Sequence, residues 1–208
     1  PGPPAEVVHR SSQLHALDVS AVAWRAGGVR LAGHLLETPG GHVAEIETDY
    51  LVVGAGASGL AFVDTLLSLD AEARVVLVDR EDRPGGHWLH AYPFVRLHQA
   101  SANYGVASRR LGADRIVSEG ADAGGYERAT APEICAYWAA VLDDMVAGGR
   151  VTFLGGTEYR GSDGDAHTVA SVTSGDTTTV RARRLVDATR VASDIPSRHT
   201  PSYAIDAG

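Results

Sequence analysis

Six consecutive residues, Gly54-Ala55-Gly56-Ala57-Ser58-Gly59, carry the spacing G-x-G-x-x-G. That spacing suits a diphosphate. The first glycine permits a tight turn out of a strand. The second lets the backbone approach the phosphates with no Cβ in the way, and the third lets helix and strand pack closely. A helix starting here turns unpaired N–H groups and a partial positive charge toward the anion. Ala57 and Ser58, inside the turn, are candidate contacts. Asp79 follows where a carboxylate would accept hydrogen bonds from a ribose diol, with Arg80 beside it. Read instead as a nucleophile elbow around Ser58, the segment fails, because G-x-S-x-G needs glycine at 60 and Leu60 stands there.

Other residues carry less chemistry. His87, His90 and His98, with Asp82, lack the spacing of a metal ligand set, so no metal is assigned. Arg96, Gln99, Ser101 and Asn103 form a polar set that either faces a ring carbonyl edge and phosphate oxygens or satisfies local backbone. Trp88, Tyr92, Phe94 and Tyr104 either shield a cofactor or fill the core. Cys135 reads as a buried structural thiol. No side chain qualifies as a catalytic acid or base.

The elements needed to position the turn are legible around it. Tyr50-Leu51-Val52-Val53 is a continuous apolar run, the pattern of a strand buried on both faces. Leu60, Ala61, Val63, Leu66 and Leu67 recur at helical spacing. A second buried strand spans 74–79. Together these form a β-α-β unit with parallel strands and a right-handed crossover. Residues 84–128 show no sustained period and read as an irregular excursion across a cofactor. Thr130, with Glu133 three positions later and Pro132 between, opens a second helix that runs to about Val146 and stops at Gly148-Gly149. Residues 151–154 make a third strand. Three β-like pieces follow over 158–181, separated by turn signals, and 185–189 returns as a separate short strand. Residues 1–47 form an extension without recognisable chemistry, and 48–208 the domain.

Composition narrows the function. The net charge of -8 opposes binding to nucleic acid or anionic membranes. No lysine is present, which excludes Schiff-base chemistry and a phosphate-loop lysine. No apolar run approaches membrane-spanning length, and a single cysteine fits the cytoplasm. A small-molecule substrate is the expected partner.

The stretch Arg83-Pro84-Gly85-Gly86-His87-Trp88 resembles the G-G-x-W segment of flavin-containing monooxygenases and related FAD/NAD(P)-dependent oxidoreductases, with Gly85, Gly86 and Trp88 matching. Residues 93–99, Tyr104-Gly105-Val106 and Val186-Asp187-Ala188-Thr189 are similar to one actinobacterial-type branch. The resemblance covers roughly residues 49–208. It implies an α/β, Rossmann-like FAD-binding fold with a parallel sheet and an inserted three-stranded β-meander. It also implies FAD as cofactor and NAD(P)H as co-substrate in the complete enzyme. Gly86, His87, Trp88, Arg96 and Gln99 would lie near the flavin or phosphates. Backbone at Thr157 would meet the adenine, and Ala188-Thr189 would close on the cofactor. Arg190 stands where the family has glycine. A second glycine-rich turn for NAD(P)H is not visible, and the chain starts at Pro1, so an incomplete FAD domain is expected. Two alternatives stand beside this reading: an NAD(P)-dependent dehydrogenase using the Gly54 turn, and a non-catalytic nucleotide-binding fragment.

Overall fold

The computed structural model describes residues 44–189. Arg190 and the apolar segments expected in the extension lie outside them. In chain order the elements are β1 (Ala44–Val53), α1 (Ala57–Leu69), β2 (Val75–Val78), β3 (Gly105–Val106), β4 (Arg109–Arg110), α2 (Ala131–Ala147), β5 (Val151–Leu154), β6 (Thr157–Asp163), β7 (Ala166–Ser171) and β8 (Thr177–Asp187). Six strands form one mixed sheet in the order β5-β2-β1-β8-β7-β6, and β3-β4 is a separate small hairpin.

The expected β-α-β unit is present: β1 and β2 pair in parallel from Tyr50↔Val75 to Val53↔Val78, with α1 as the crossover. Their side chains alternate between two cores. Val52, Val75 and Leu77 face the helices, packing with Leu60 and Val63 of α1 and Ile134, Trp138 and Leu142 of α2. Leu51, Val76 and Val78 face the other way, against Val169, Val180 and Ala182. Burial on both faces is why these strands read as unbroken apolar runs, and each fully buried aliphatic side chain contributes about 2 kcal/mol.

Chain geometry dictates how the second face is covered. β5 and β6 lie at opposite edges of the sheet, yet only Gly155 and Gly156 join them. Five strand spacings would set flat edges about 24 Å apart. Three residue steps reach at most about 11 Å. The sheet therefore curls, and the antiparallel β6-β7-β8 portion covers the face opposite the helices.

Two boundaries differ from the sequence expectation. β1 starts at Ala44, taking in four residues assigned to the extension, because its polar first half pairs in parallel with β8 from Ala44↔Thr178 onward. An apolar run marks only the doubly buried half. The third meander piece and the closing strand are one continuous β8. Its start pairs antiparallel with β7, and from Thr178 to Asp187 it runs parallel to β1. Arg181, Arg183 and Arg184 interrupt the apolar pattern there and hide the continuity.

The irregular stretch is anchored by polar contacts. Tyr137 Oη donates to the Arg109 carbonyl and accepts the Val106 N–H, each at 2.7 Å. Buried Asp64 on α1 accepts the Ser108 N–H at 3.2 Å and the Ser108 hydroxyl. These contacts hold the β3-β4 hairpin against both helices. No helix among the described residues is long and apolar enough to cross a membrane.

Candidate functional site

The glycine turn sits at the carboxyl end of β1, where ligands bind in open α/β sheets. Gly54 has φ +106°, and its N–H donates to the Val78 carbonyl at 2.8 Å. Ser58 lies in the first turn of α1 and is exposed. A Cβ on Gly59 would come within 1.9 Å of the Gly54 carbonyl oxygen, so helix and turn touch as the motif requires. Gly56 and Gly86 face each other, a Cβ on Gly56 falling 3.6 Å from the Gly86 Cα.

The two helix N-termini contrast. Thr130 of α2 is sealed: the Glu133 carboxylate accepts its N–H at 2.7 Å and its hydroxyl at 2.8 Å. α1 begins after Gly56, with no capping side chain and no acid in its first turn. The amides of Ala57, Ser58 and Gly59 have no intrahelical partner by geometry. This open, uncapped turn fits the diphosphate of a dinucleotide cofactor.

Several expected site residues converge here. Asp79 directly follows β2 and accepts the Ala55 N–H on Oδ2 at 2.6 Å. The Thr157 N–H donates to the Asp79 carbonyl at 2.8 Å, bringing the start of β6 beside it. The Gly85 N–H donates to the Ala55 carbonyl at 3.0 Å, tying the second glycine pair to the turn. Gly85 and Gly86 have φ +139° and +57°, a conformation that L residues with a Cβ rarely adopt. Ala188 follows β8, its N–H donating to the Val53 carbonyl at 2.8 Å, and its carbonyl lies against Gly54. Asp187 Oδ1 accepts the Thr189 N–H at 2.9 Å and its hydroxyl at 2.5 Å. These two bonds hold the Asp187 carboxyl below its ordinary range, the hydroxyl having the larger effect. Arg80 is exposed and pairs with Glu158 at 3.6 Å.

Other expected residues sit differently. Trp88 is 9% exposed, within the helix-side core, and donates its Nε1 hydrogen to Tyr104 Oη at 2.7 Å. His87 is exposed beside it, with ring centroids 5.0 Å apart. Arg96 Nη1 donates to the Arg128 carbonyl at 3.4 Å, a partner distant in sequence, and Gln99 Nε2 donates to the nearby Asn103 carbonyl at 3.2 Å. Buried Ser101 bridges Glu127 and Ala129. Tyr92 and Phe94 stack on each other, 70% and 80% exposed. Cys135 is half-buried near Gly85. Burial pushes its thiol up, against a smaller opposing effect of Arg83.

Sequence reasoning missed Ala55, Glu81 and Asp187. Ala55 acts through its amide, which leaves no residue-type signal. Glu81 meets the site through backbone too: its N–H donates to Asp79 Oδ1 and its carbonyl accepts the Gly156 N–H. The Asp187-Ala188-Thr189 spacing, an acid two residues before a hydroxyl, was the available signal for Asp187.

Comparison with known proteins bears on the family and the fold. An uncharacterized protein of Mycobacterium tuberculosis is 43% identical over 205 residues, covering 97% of this chain and 37% of its own length. One of Mycobacterium bovis matches with the same figures. The chain thus spans little more than a third of the curated relatives it matches. The solved structure of a flavin-containing monooxygenase from Stenotrophomonas maltophilia superposes with a TM-score of 0.52 at 22% identity, covering 69% of this chain and 38% of that one; this shows a shared fold. Residues 49–194 match the model of the family described as FAD dependent oxidoreductase. That match takes in well over half of the chain, which therefore belongs to the FAD dependent oxidoreductase family.

Proposed function

We propose that the chain forms the FAD-holding part of a flavin-monooxygenase-like oxidoreductase that takes electrons from NAD(P)H and acts on a small-molecule substrate in the cytoplasm. The cofactor domain, expected over 48–208, would also take in the start of β1 from Ala44. The observation that carries this is the uncapped start of α1 at Gly56, with Asp79 at the end of the neighbouring strand. When bound, FAD supplies hydride acceptance and electron transfer to oxygen or an organic acceptor.

The chain's own part is binding and orientation. Amides of Ala57, Ser58 and Gly59 would donate to the diphosphate, and Gly54 and Gly56 would let it approach. Asp79 would accept from the adenosine ribose with lone pairs left after its backbone bonds, with Arg80 at the rim. Backbone at Thr157 would border the adenine. Gly86 and His87 would pass along the diphosphate, and Trp88 would brace that glycine pair from the core. Arg96 and Gln99 would exchange their present backbone partners for the flavin's polar edge. Ala188 and Thr189 would close on the cofactor beside the turn.

The test is the visible spectrum of the purified chain after incubation with FAD and removal of the excess. A yellow protein with flavin fluorescence quenched is expected. A colourless protein that takes up NAD(P) would favour the dehydrogenase alternative. One that holds no nucleotide would leave a non-catalytic fragment.

A further inference from the structure

Asp79 accepts three structural hydrogen bonds in addition to any contact with a ribose. Its Oδ2 accepts the Ala55 N–H at 2.6 Å, its Oδ1 accepts the Glu81 N–H at 2.9 Å, and its carbonyl accepts the Thr157 N–H at 2.8 Å. One residue thereby ties the glycine turn, the loop after β2 and the start of β6. Ala55 is 0% exposed. Its amide has no water to turn to, and loss of the acceptor would strand a buried donor. Ala55 lies between the two glycines that shape the turn, so this bond orients the peptide planes around them.

Resting on the site reading above, we propose that Asp79 is a positioning residue for the diphosphate turn. It holds the turn in its anion-facing shape through the Ala55 amide, independently of any ribose. Charge makes the consequence distinctive. A carboxylate near a diphosphate that did nothing else would repel it, and its removal would leave anion binding equal or tighter. A carboxylate that shapes the turn has the opposite effect.

The experiment is calorimetric titration of the full 208-residue chain and of Asp79→Asn with inorganic pyrophosphate and with ADP. Asparagine keeps the size but offers one good acceptor to two donors. Pyrophosphate binding is expected to weaken about tenfold in the variant, and ADP binding to weaken further. Pyrophosphate bound equally or more tightly by the variant overturns the proposal, and the site reading survives if ADP alone weakens. A wild-type chain that binds neither ligand takes down both. Amide hydrogen exchange gives a second arm on the ligand-free wild type, which does not depend on the variant folding. The Ala55 amide is expected to be protected there, and exchange at the rate of an open loop overturns the proposal.

Discussion

Gly59 has no room for a side chain, because its Cβ would meet the Gly54 carbonyl at 1.9 Å, and that backbone cannot swing aside. Gly59→Ala is expected to cost about 3 kcal/mol in urea unfolding. Gly56 is different: its φ of -81° suits any residue, and its Cβ would make an ordinary 3.6 Å contact. Gly56→Ala should leave stability within about 0.5 kcal/mol yet weaken FAD binding roughly tenfold, since the methyl would enter where the proposed site brings the diphosphate. Unchanged FAD affinity in that variant would count against the site. At the exit of β8, the hydroxyl and amide of Thr189 depress the Asp187 carboxyl. A depressed carboxyl contributes stability above its unfolded pKa and loses it as pH falls through the folded value. Thr189→Val should move Asp187 up toward the ordinary carboxylate range in an NMR titration. No movement would show that the hydroxyl is not its partner.

Elements here depend on contacts from outside themselves. The end of α1 is closed by Arg150, which precedes β5. Its Nη1 donates to the Asp70 carbonyl at 2.7 Å and its Nη2 to the Leu67 carbonyl at 3.1 Å. Arg150→Ala should cost about 1 kcal/mol, read as a lower thermal midpoint. The loop over 111–128 is pinned by Glu127, whose carboxylate accepts the Ala113 N–H and pairs with Arg115 at 3.0 Å. The Ala113 amide first, then Arg115, hold Glu127 below its ordinary pKa. The sign follows: the loop is held fully at neutral pH and loosens as pH falls through that lowered value. Glu127→Gln should raise amide exchange in this loop at pH 7 and remove its acid dependence. A loop equally protected at neutral and acid pH in the wild type would refute this anchor.

In the whole molecule, the corner at Gly155-Gly156 joins what would otherwise be two far edges of a sheet. A Cβ on Gly155 would lie 2.6 Å from the Asp82 carbonyl, backbone of the loop that follows Asp79. Gly155→Ala should therefore disturb the curl of the sheet and the proposed adenosine end of the site together. The expected signs are destabilisation of about 2 kcal/mol in unfolding and a parallel loss of ADP affinity. A variant of native stability and affinity would mean that the corner has slack.

Local pattern was enough for whatever has a short-range cause. The glycine turn, the crossover helix, the doubly buried halves of β1 and β2 and the capping box at Thr130 each depend on neighbours a few positions away, so their residue types announce them. Contacts across long separations left no such trace. The polar half of β1 became strand because β8 lies beside it, more than a hundred residues later. Trp88 went into the helix-side core, where Tyr104 accepts its indole N–H. The sequence position of Asp79 points its carboxylate at a ligand, and the fold also sets it on the Ala55 amide, because the ends of β1 and β2 come side by side. Hydrogen bonds to backbone amides are blind to residue type, and only the fold decides which amides come within reach.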